Sequence, residues 1–223
     1  MTVLDPTIST SLSAAMREGS QLEHQEAEDS PFMSELLGGR VNETGYADYL
    51  LRLRGVYAAM EETVRAHAGD PLVTAVHDAD LERLDAIDAD LAHWAPGRQV
   101  GPPANVDSPA MDAYRDRLHQ AGEWGGLLVA HHYTRYLGDL SGGQAIGRIL
   151  DRTFGLDGAG ISFYAFPAIP KPKPYKDAYR ARLDALGLDK EQVLRVVDEV
   201  KVAFRLNQAL FSELGQNIDG YRR

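Results

Sequence analysis

Three glycines, Gly138, Gly142 and Gly143, interrupt a region whose flanks have the apolar spacing of helices. They lie within residues 133–147, which read YTRYLGDLSGGQAIG. Each glycine inside a helix costs about 1 kcal/mol relative to alanine. The cluster therefore predicts a helix that bends, or a helix without side chains on one face so that something flat can lie against it. An ordinary helix break, with Asp139 capping the next helix, explains the spacing equally well.

Composition limits the classes of protein to which the chain can belong. Of its 223 residues, 44% are hydrophobic and 25% charged, which is typical of one globular domain. A net charge of −10 disfavours binding to nucleic acid or to anionic membranes. The chain has no cysteine, which excludes disulfides, thiolate metal sites and cysteine nucleophiles. Neither a signal peptide nor a membrane-spanning stretch is visible, so we expect a cytoplasmic protein without a membrane anchor.

Apolar residues recur at helical spacing along most of the chain, and no alternating strand pattern of any length appears. We therefore predict a single all-α domain over 1–223, with an ordered core at about 10–215 and short polar termini. About seven to nine helices should form one bundle, one of them kinked at the glycines. The first predicted helix covers about 10–28, and the last covers about 189–215.

The segments between these two helices give more local expectations. Thr44 should cap a long helix that ends at Gly69, and helix should continue over 72–94. Residues 95–109 are rich in proline and glycine, match no motif, and should form a loop. The prolines of 167–174 predict an extended segment, because proline obstructs helix formation.

Residues 140–144 read LSGGQ and match the signature loop of ABC-type ATPases. Such an ATPase also needs a phosphate-binding GxxxxGK[ST] loop between a strand and a helix. The sequence contains no Gly–Lys pair and predicts no parallel sheet. The ATPase interpretation is therefore excluded.

His24 has two interpretations: an exposed helical histidine, which is the commoner case, or an axial ligand to a haem iron. Glu28 follows one helical turn later and could hold the other ring nitrogen, directly or through water. Arg17 precedes His24 by two turns, about 10 Å of helix, and could reach a haem propionate there. This arrangement favours ligation over mere exposure.

Other polar groups also admit two interpretations. Lys173, Lys176 and Arg180 form a basic group that is either a solvated face or a partner for carboxylates. Asn207 lies within an apolar stripe, where a buried amide needs hydrogen-bond partners. Asp139, one turn after an arginine, raises the same question.

Several separated segments together resemble the haem oxygenase family. They are HQEAE at 24–28, Phe32-Met33, YTRYLGDLSGGQ at 133–144, Tyr179-Arg180 and the segment from Phe204 to Phe211. The resemblance runs in family order over about 10–215. Because the chain ends without the hydrophobic tail of membrane-bound animal members, it is most similar to the soluble bacterial, biliverdin-producing type.

The resemblance implies a role for each matched position. His24 would be the proximal iron ligand, with Glu28 at its other nitrogen, and residues 133–147 would cross the opposite haem face. The glycines at that crossing are Gly138, Gly142 and Gly143. The positions that match propionate-binding residues are Arg17, Tyr133, Lys176 and Arg180. Those that match the distal hydrogen-bonded water network are Tyr57, Arg135, Asp139 and Asn207. Those that match residues packed on the haem are Met33, Phe204 and Phe211.

The resemblance further implies the activity. Haem b would be both cofactor and substrate, cleaved at a meso carbon to biliverdin, CO and ferrous iron with O₂ as oxidant. Electrons would come from a separate redox partner, a ferredoxin or an NAD(P)H-dependent reductase, in haem catabolism for iron acquisition or pigment synthesis. Soluble members of this type are commonly monomeric. A non-catalytic haem carrier remains the alternative, whereas a related bundle acting on thiamine-like molecules would need a nucleophile, commonly cysteine.

Overall fold

The computed structural model describes residues 11–97 and 106–223. Within these ranges it contains twelve α-helices and no strand, apart from one isolated bridge between Val41 and Arg222. The prediction of a single all-α domain is confirmed. None of the described helices is both long and apolar enough to cross a bilayer. The helices are α1 (Leu12–Gly19), α2 (Gln21–Glu28), α3 (Pro31–Leu37), α4 (Glu43–Ala66), α5 (Pro71–Thr74), α6 (Leu84–Trp94), α7 (Pro109–Ala121), α8 (Gly125–His132), α9 (Gln144–Phe154), α10 (Pro172–Asp184), α11 (Lys190–Gly215) and α12 (Ile218–Tyr221).

The segment predicted as one helix over 10–28 is two helices, α1 and α2, that meet at Ser20. The Ser20 hydroxyl donates a hydrogen bond of 2.8 Å to the carbonyl oxygen of Met16, which competes with continued helix. Helix α11 also approaches closely here, since a Cβ added to Gly19 would lie 2.5 Å from Val197. The break gives α2, which carries His24, its own direction.

Helix α4 begins two residues earlier than predicted, because Asn42 is its cap and Thr44 is not. The Asn42 Oδ1 atom accepts a hydrogen bond of 2.9 Å from the amide of Gly45. Its side-chain amide also donates to the carbonyl oxygens of Gly220, at 2.9 Å, and Arg222, at 3.2 Å. One side chain therefore caps the 24-residue helix α4 and ties the C-terminus to it.

We expect Asn42→Ala to lower the free energy of unfolding by about 1 kcal/mol or somewhat more, which is the usual cost of losing an N-cap. Urea unfolding monitored by circular dichroism measures this value. Thr44→Ala is the matched control: Thr44 is exposed, lies within the same first turn, and should change stability little. A larger loss with Thr44→Ala than with Asn42→Ala would contradict the assignment of the cap.

The helix predicted over 72–94 is present only at its ends, as α5 and α6, with a short 3₁₀ turn at Ala79–Leu81 between them. Acidic side chains explain the interruption. Asp78 caps the 3₁₀ turn through the amide of Asp80, at 3.0 Å. Buried Glu61 accepts from the amides of Arg83, at 2.6 Å, and Leu84, at 3.0 Å, at the start of α6. Backbone amides left free by each break are thereby satisfied.

The prediction of an extended chain over 167–174 is wrong at its end, because α10 begins at Pro172. Pro172 and Pro174 lie in the first turn of this helix. Amides of a first turn have no partner within the helix, so proline costs nothing there and its fixed φ favours the start. Of the loop predicted over 95–109, residues 98–105 lie outside the described part, and α7 begins at Pro109.

The last long helix, α11, agrees with the predicted range of 189–215 and begins with a capping box between Asp189 and Gln192. Packing continues beyond the predicted core boundary. Tyr221 is buried with its ring 6.4 Å from that of Phe32 on α3, and its hydroxyl donates to Asp48 at 2.7 Å. The C-terminus thus braces α3 and α4, two helices that supply residues to the cleft described next.

Candidate active site

Residues 133–143 join α8 to α9 without leaving helical conformation. Their turns are wider than those of an α-helix, being π-helical over Tyr133–Leu137 and again over Asp139–Gly143. Gly138 between them has φ −62° and ψ −49°, and no side chain caps a new helix here. The alternative of an ordinary helix break is therefore wrong. Wide turns of this kind are frequent at functional sites.

The glycines of this segment serve two different purposes. A Cβ added to Gly138 or Gly142 would meet nothing within 4 Å, so the backbone is bare there and faces open space. At Gly143 an added Cβ would lie 3.2 Å from the ring of Tyr164, and at Gly147 it would lie 3.0 Å from the Cβ of the same tyrosine. The first pair leaves a helix face open, whereas the second pair makes room for an aromatic ring.

The open face borders a continuous cleft. An inner cavity of about 340 Å³ and an outer one of about 530 Å³ share five lining residues: His24, Thr134, Gly138, Ser141 and Phe204. Helix α2 forms one wall, the π-helical segment the opposite wall, and α11 closes the side. Predicted residues that line the inner cavity are His24, Glu28, Met33, Arg135, Gly138, Asp139, Gly142, Gly143, Phe204, Asn207 and Phe211. Those in the outer part are Arg17, Tyr133 and Arg180.

His24 projects from α2 at the mouth of the inner cavity, and about half of its side chain is exposed. Its ring lies edge-on to that of Phe204, with centroids 5.4 Å apart. The Nδ1 atom is 3.8 Å from the nearer carboxylate oxygen of Glu28, too far for a direct hydrogen bond and suited to one through water. No described residue hydrogen-bonds to Nε2, so this nitrogen is available to a ligand.

A buried polar network lies behind the π-helical wall. The Tyr57 hydroxyl donates to the Asp139 carboxylate and accepts from Arg135 Nε, at 3.1 Å, and Nη2, at 3.0 Å. Arg135 Nη1 donates to Asn207 Oδ1 at 2.6 Å, and Asn207 donates onward to the carbonyl oxygen of Ala203 at 3.1 Å. The four residues predicted to share a water network are thus brought together from α4, the π-helical segment and α11.

Burial and the neighbouring charges shift the pKa values of the ionisable groups in this network. Burial raises the pKa of Asp139 above its ordinary value, although the charge of Arg135 and the hydrogen bond from Tyr57 oppose the rise. Burial alone would lower the pKa of Arg135, but Tyr57 and Asp139 outweigh it, so the guanidinium stays charged. A carboxyl group with a raised pKa at the edge of a cavity is suited to transfer protons.

The basic residues at the rim of the cleft differ in how firmly their side chains are held by other residues. Arg17 is mostly exposed, and among the described residues it pairs with the neighbouring Glu18 carboxylate, at 3.4 Å. Arg180 pairs with Asp177 at 3.2 Å. Lys176 instead donates to Ser141 Oγ at 2.8 Å, so it is tied to the π-helical segment, and it does not line the cleft.

Several residues that line the inner cavity were not predicted from the sequence: Ala27, Tyr49, Thr134, Ser141, Ile146, Phe163 and Tyr164. Most are apolar or small and carry no sequence signal that separates them from ordinary core. Tyr164 is the exception, because glycines one helical turn apart, at 143 and 147, indicate that some group packs closely against the helix there, though not which one.

The fold and this site define an all-α domain built around one helix-walled cleft, and comparison with known proteins identifies its family. The family model described as heme oxygenase matches residues 10–213. Heme oxygenase 1 of the cyanobacterium Nostoc sp. is 36% identical over 218 residues, covering 95% of this chain and 89% of the relative. Rat heme oxygenase 1 is 38% identical over 213 residues, covering 93% of this chain and 73% of the relative.

Solved structures agree with these relatives. The crystal structure of heme oxygenase-1 from Synechocystis sp. in complex with heme superposes with a TM-score of 0.87 at 35% identity, covering 94% of this chain and 95% of that one. The heme oxygenase of Leptospira interrogans superposes with a TM-score of 0.86 at 35% identity, covering 91% and 99%. The chain belongs to the heme oxygenase family.

Proposed function

We propose that the protein is a haem oxygenase that takes haem b as both cofactor and substrate. It opens the ring at a meso carbon and yields biliverdin, CO and ferrous iron. O₂ is the oxidant, and a ferredoxin or reductase supplies the electrons. We further propose that it acts as a cytoplasmic monomer. The observation that carries this proposal is the cleft itself, with an imidazole on one wall, bare glycine backbone on the other, and a buried acid beside the glycines.

The residues of the cleft fit a flat, amphipathic dianion with a metal at its centre. His24 offers a nitrogen with no hydrogen bond from a described residue, and neutral imidazole is a common axial ligand of haem iron. Met33, Phe204 and Phe211 supply an apolar lining for the ring faces. Arg17 and Arg180 at the outer part supply positive charge for two propionates.

The residues of the chain then prepare the distal side for oxygen chemistry. Bound haem supplies an iron that binds and activates O₂. Gly138 and Gly142 keep side chains away from the face where O₂ must fit. The Asp139 carboxyl group lies near that face. A hydrogen bond from the Tyr57 hydroxyl, which Arg135 holds in turn, fixes its position and that of any water it orders. A water between Asp139 and the reacting oxygen would deliver the proton without placing a strong acid directly upon it.

The same network disfavours a haem carrier. Placing a charged guanidinium and a carboxyl group in a nearly dry interior costs stability unless their geometry is exact enough to offset the loss of hydration. Arg135 and Asp139 are each 7% exposed. A carrier would need His24 and the basic rim but gains nothing from this buried acid, so the network favours catalysis.

Aerobic incubation with haemin and a reductant, ascorbate or ferredoxin with its reductase, tests the function. We expect the Soret absorption band of haem to decay while biliverdin absorption rises. The matched control omits O₂ and should leave the haem band intact. A haem complex that forms with histidine ligation but never yields biliverdin in air would exclude catalysis and support a carrier.

Arg180 should hold a propionate and thereby set the rotation of the haem in the cleft. We expect Arg180→Gln to weaken haem affinity about 5-fold, the scale of one partly exposed charge pair, and to give more than one biliverdin isomer. Haem titration gives the affinity, and chromatography of the product separates the isomers.

Lys173→Gln is the matched control for this prediction. Lys173 lies on the same helix and pairs with the same partner, Asp177, at 3.1 Å, but its side chain is 89% exposed and does not line the cleft. The control should keep both affinity and isomer pattern. If Arg180→Gln behaves like this control, Arg180 has no role at the propionates.

A further inference from the structure

A second cavity, of about 610 Å³, lies behind the inner cavity of the cleft. The starts of α6 and α9 and the segment 158–167 form its walls, and its lining includes the charged side chains of Glu82, Asp85 and Arg148. One residue, Tyr164, lines both this second cavity and the inner cavity. Whatever separates the two spaces therefore includes this side chain.

Tyr164 lies between the inner cavity and the second cavity. Its ring packs against α9 and the π-helical segment between Gly143 and Gly147, which lie one helical turn apart. Gly143 faces the inner cavity and Gly147 faces the second one. Because neither glycine has a side chain, the ring of Tyr164 lies directly against this stretch of helix, where the two cavities approach each other.

We infer that the ring of Tyr164 is a barrier that keeps the water of the second cavity away from Asp139 and confines small ligands, O₂ and CO, to the haem side of the cleft. The part that concerns O₂ and CO rests on the proposed function. The part that concerns water does not, since it depends only on the two cavities and the ring between them.

The backbone on each side of Tyr164 is held firmly, as a barrier requires. Asp90, fully buried, accepts hydrogen bonds from the amides of Ser162, at 2.7 Å, and Phe163, at 2.8 Å. On the other side Arg83 donates to the carbonyl oxygen of Ala165 at 2.5 Å. Arg83 also lies over the ring of Phe166, 3.9 Å from its centroid. Two buried charged side chains thus anchor the short segment that presents the ring.

The hydroxyl of Tyr164 contributes little to this role. It is buried and faces the hydroxyl of Tyr46, and neither hydroxyl has a hydrogen bond of normal geometry to a described residue. A buried hydroxyl without a well-formed hydrogen bond adds little stability, so phenylalanine at this position should pack about as well. The barrier therefore depends on the ring, which allows a pair of variants that separates ring from hydroxyl.

The first experiment uses the haem-free protein and measures the titration of the Asp139 carboxyl by ¹³C NMR. Burial raises the pKa of this group, so water entering from the second cavity should lower it. We expect Tyr164→Ala to move the pKa toward the ordinary value and Tyr164→Phe to leave it unchanged. Equal values in wild type and both variants would overturn the barrier to water, whether or not the protein binds haem.

The second experiment uses the haem complex and laser photolysis of its CO adduct. The fraction of CO that rebinds before escaping should fall several-fold in Tyr164→Ala, because the confined volume opens into the second cavity, and should stay within two-fold in Tyr164→Phe. Tyr164→Leu, which keeps more of the packing, replaces the alanine variant if thermal unfolding shows that the latter is not folded. Rebinding that is the same in all variants would overturn the confinement of ligands. Failure of wild type to form a histidine-ligated haem complex would instead count against the proposed function.

Discussion

Replacing His24 with alanine should abolish normal haem ligation and lower haem affinity by at least about 100-fold. Loss of a residue that merely orients a metal ligand costs 10- to 100-fold in affinity, and loss of the ligand itself costs more. We expect the rest of the cleft to stay intact, because about half of the His24 side chain is exposed and its Nδ1 atom, 3.8 Å from the Glu28 carboxylate, makes no direct hydrogen bond to it. The apolar lining should retain some haem without an axial nitrogen.

The visible spectrum of the complex with haemin measures this change. Added imidazole should enter the space left by the side chain and restore the wild-type spectrum. His119→Ala is the matched control, because His119 is an exposed helical histidine on α7 that lines neither part of the cleft. A wild-type spectrum from the His24 variant would show that another group ligates the iron.

The sequence predicts much of this site because its signals are local. Gly138 and Gly142 interrupt a helical pattern, and such glycines indicate a backbone that something must approach. Arg135 and Asp139 are one turn apart, which places them on the same helix face, and Asn207 stands out on an apolar stripe. Helical periodicity singles out these residues, the family resemblance assigns the three polar ones to a single network, and the structure brings them together.

The failures have a different origin. Whether Thr44 or Asn42 caps α4 depends on the C-terminus, since the Asn42 side chain also donates hydrogen bonds to the carbonyl oxygens of Gly220 and Arg222. The break at Ser20 depends on how closely α11 approaches α1. Neither partner is near in sequence, so periodicity carries no information about them. Propensity gave the correct kind of element in these cases, and tertiary contacts moved its boundary.

Gly143 borders the inner cavity and also contacts the ring of Tyr164, and the sequence pattern indicates only the first of these two roles. The sequence pattern groups it with Gly138 and Gly142 as part of one bare helix face. In the structure Gly143 lies beneath the ring of Tyr164, which comes from a segment about twenty residues further along the chain. A glycine indicates close approach but not the identity of what approaches. For this reason the sequence does not predict that Tyr164 separates the two cavities.

Replacing Asp139 with asparagine should leave haem binding nearly unchanged while biliverdin formation falls about 100- to 1,000-fold, the usual contribution of a positioned proton donor. Asparagine has the same shape and can still accept the hydrogen bond from Tyr57. It cannot release and regain a proton near neutral pH. The change therefore removes proton transfer while it keeps the packing around the π-helical segment.

Single-turnover measurements with haemin, O₂ and a limiting reductant separate these two effects, because they report haem loss and biliverdin yield from the same sample. Asp116→Asn is the matched control: Asp116 is exposed on α7 and lines neither part of the cleft. Asp139→Ala should impair turnover equally but also lower stability, since it leaves Arg135 buried without its carboxylate. Normal biliverdin yield from a folded, haem-loaded Asp139→Asn variant would exclude Asp139 as the source of the proton and direct the search to Tyr57 and the waters it holds.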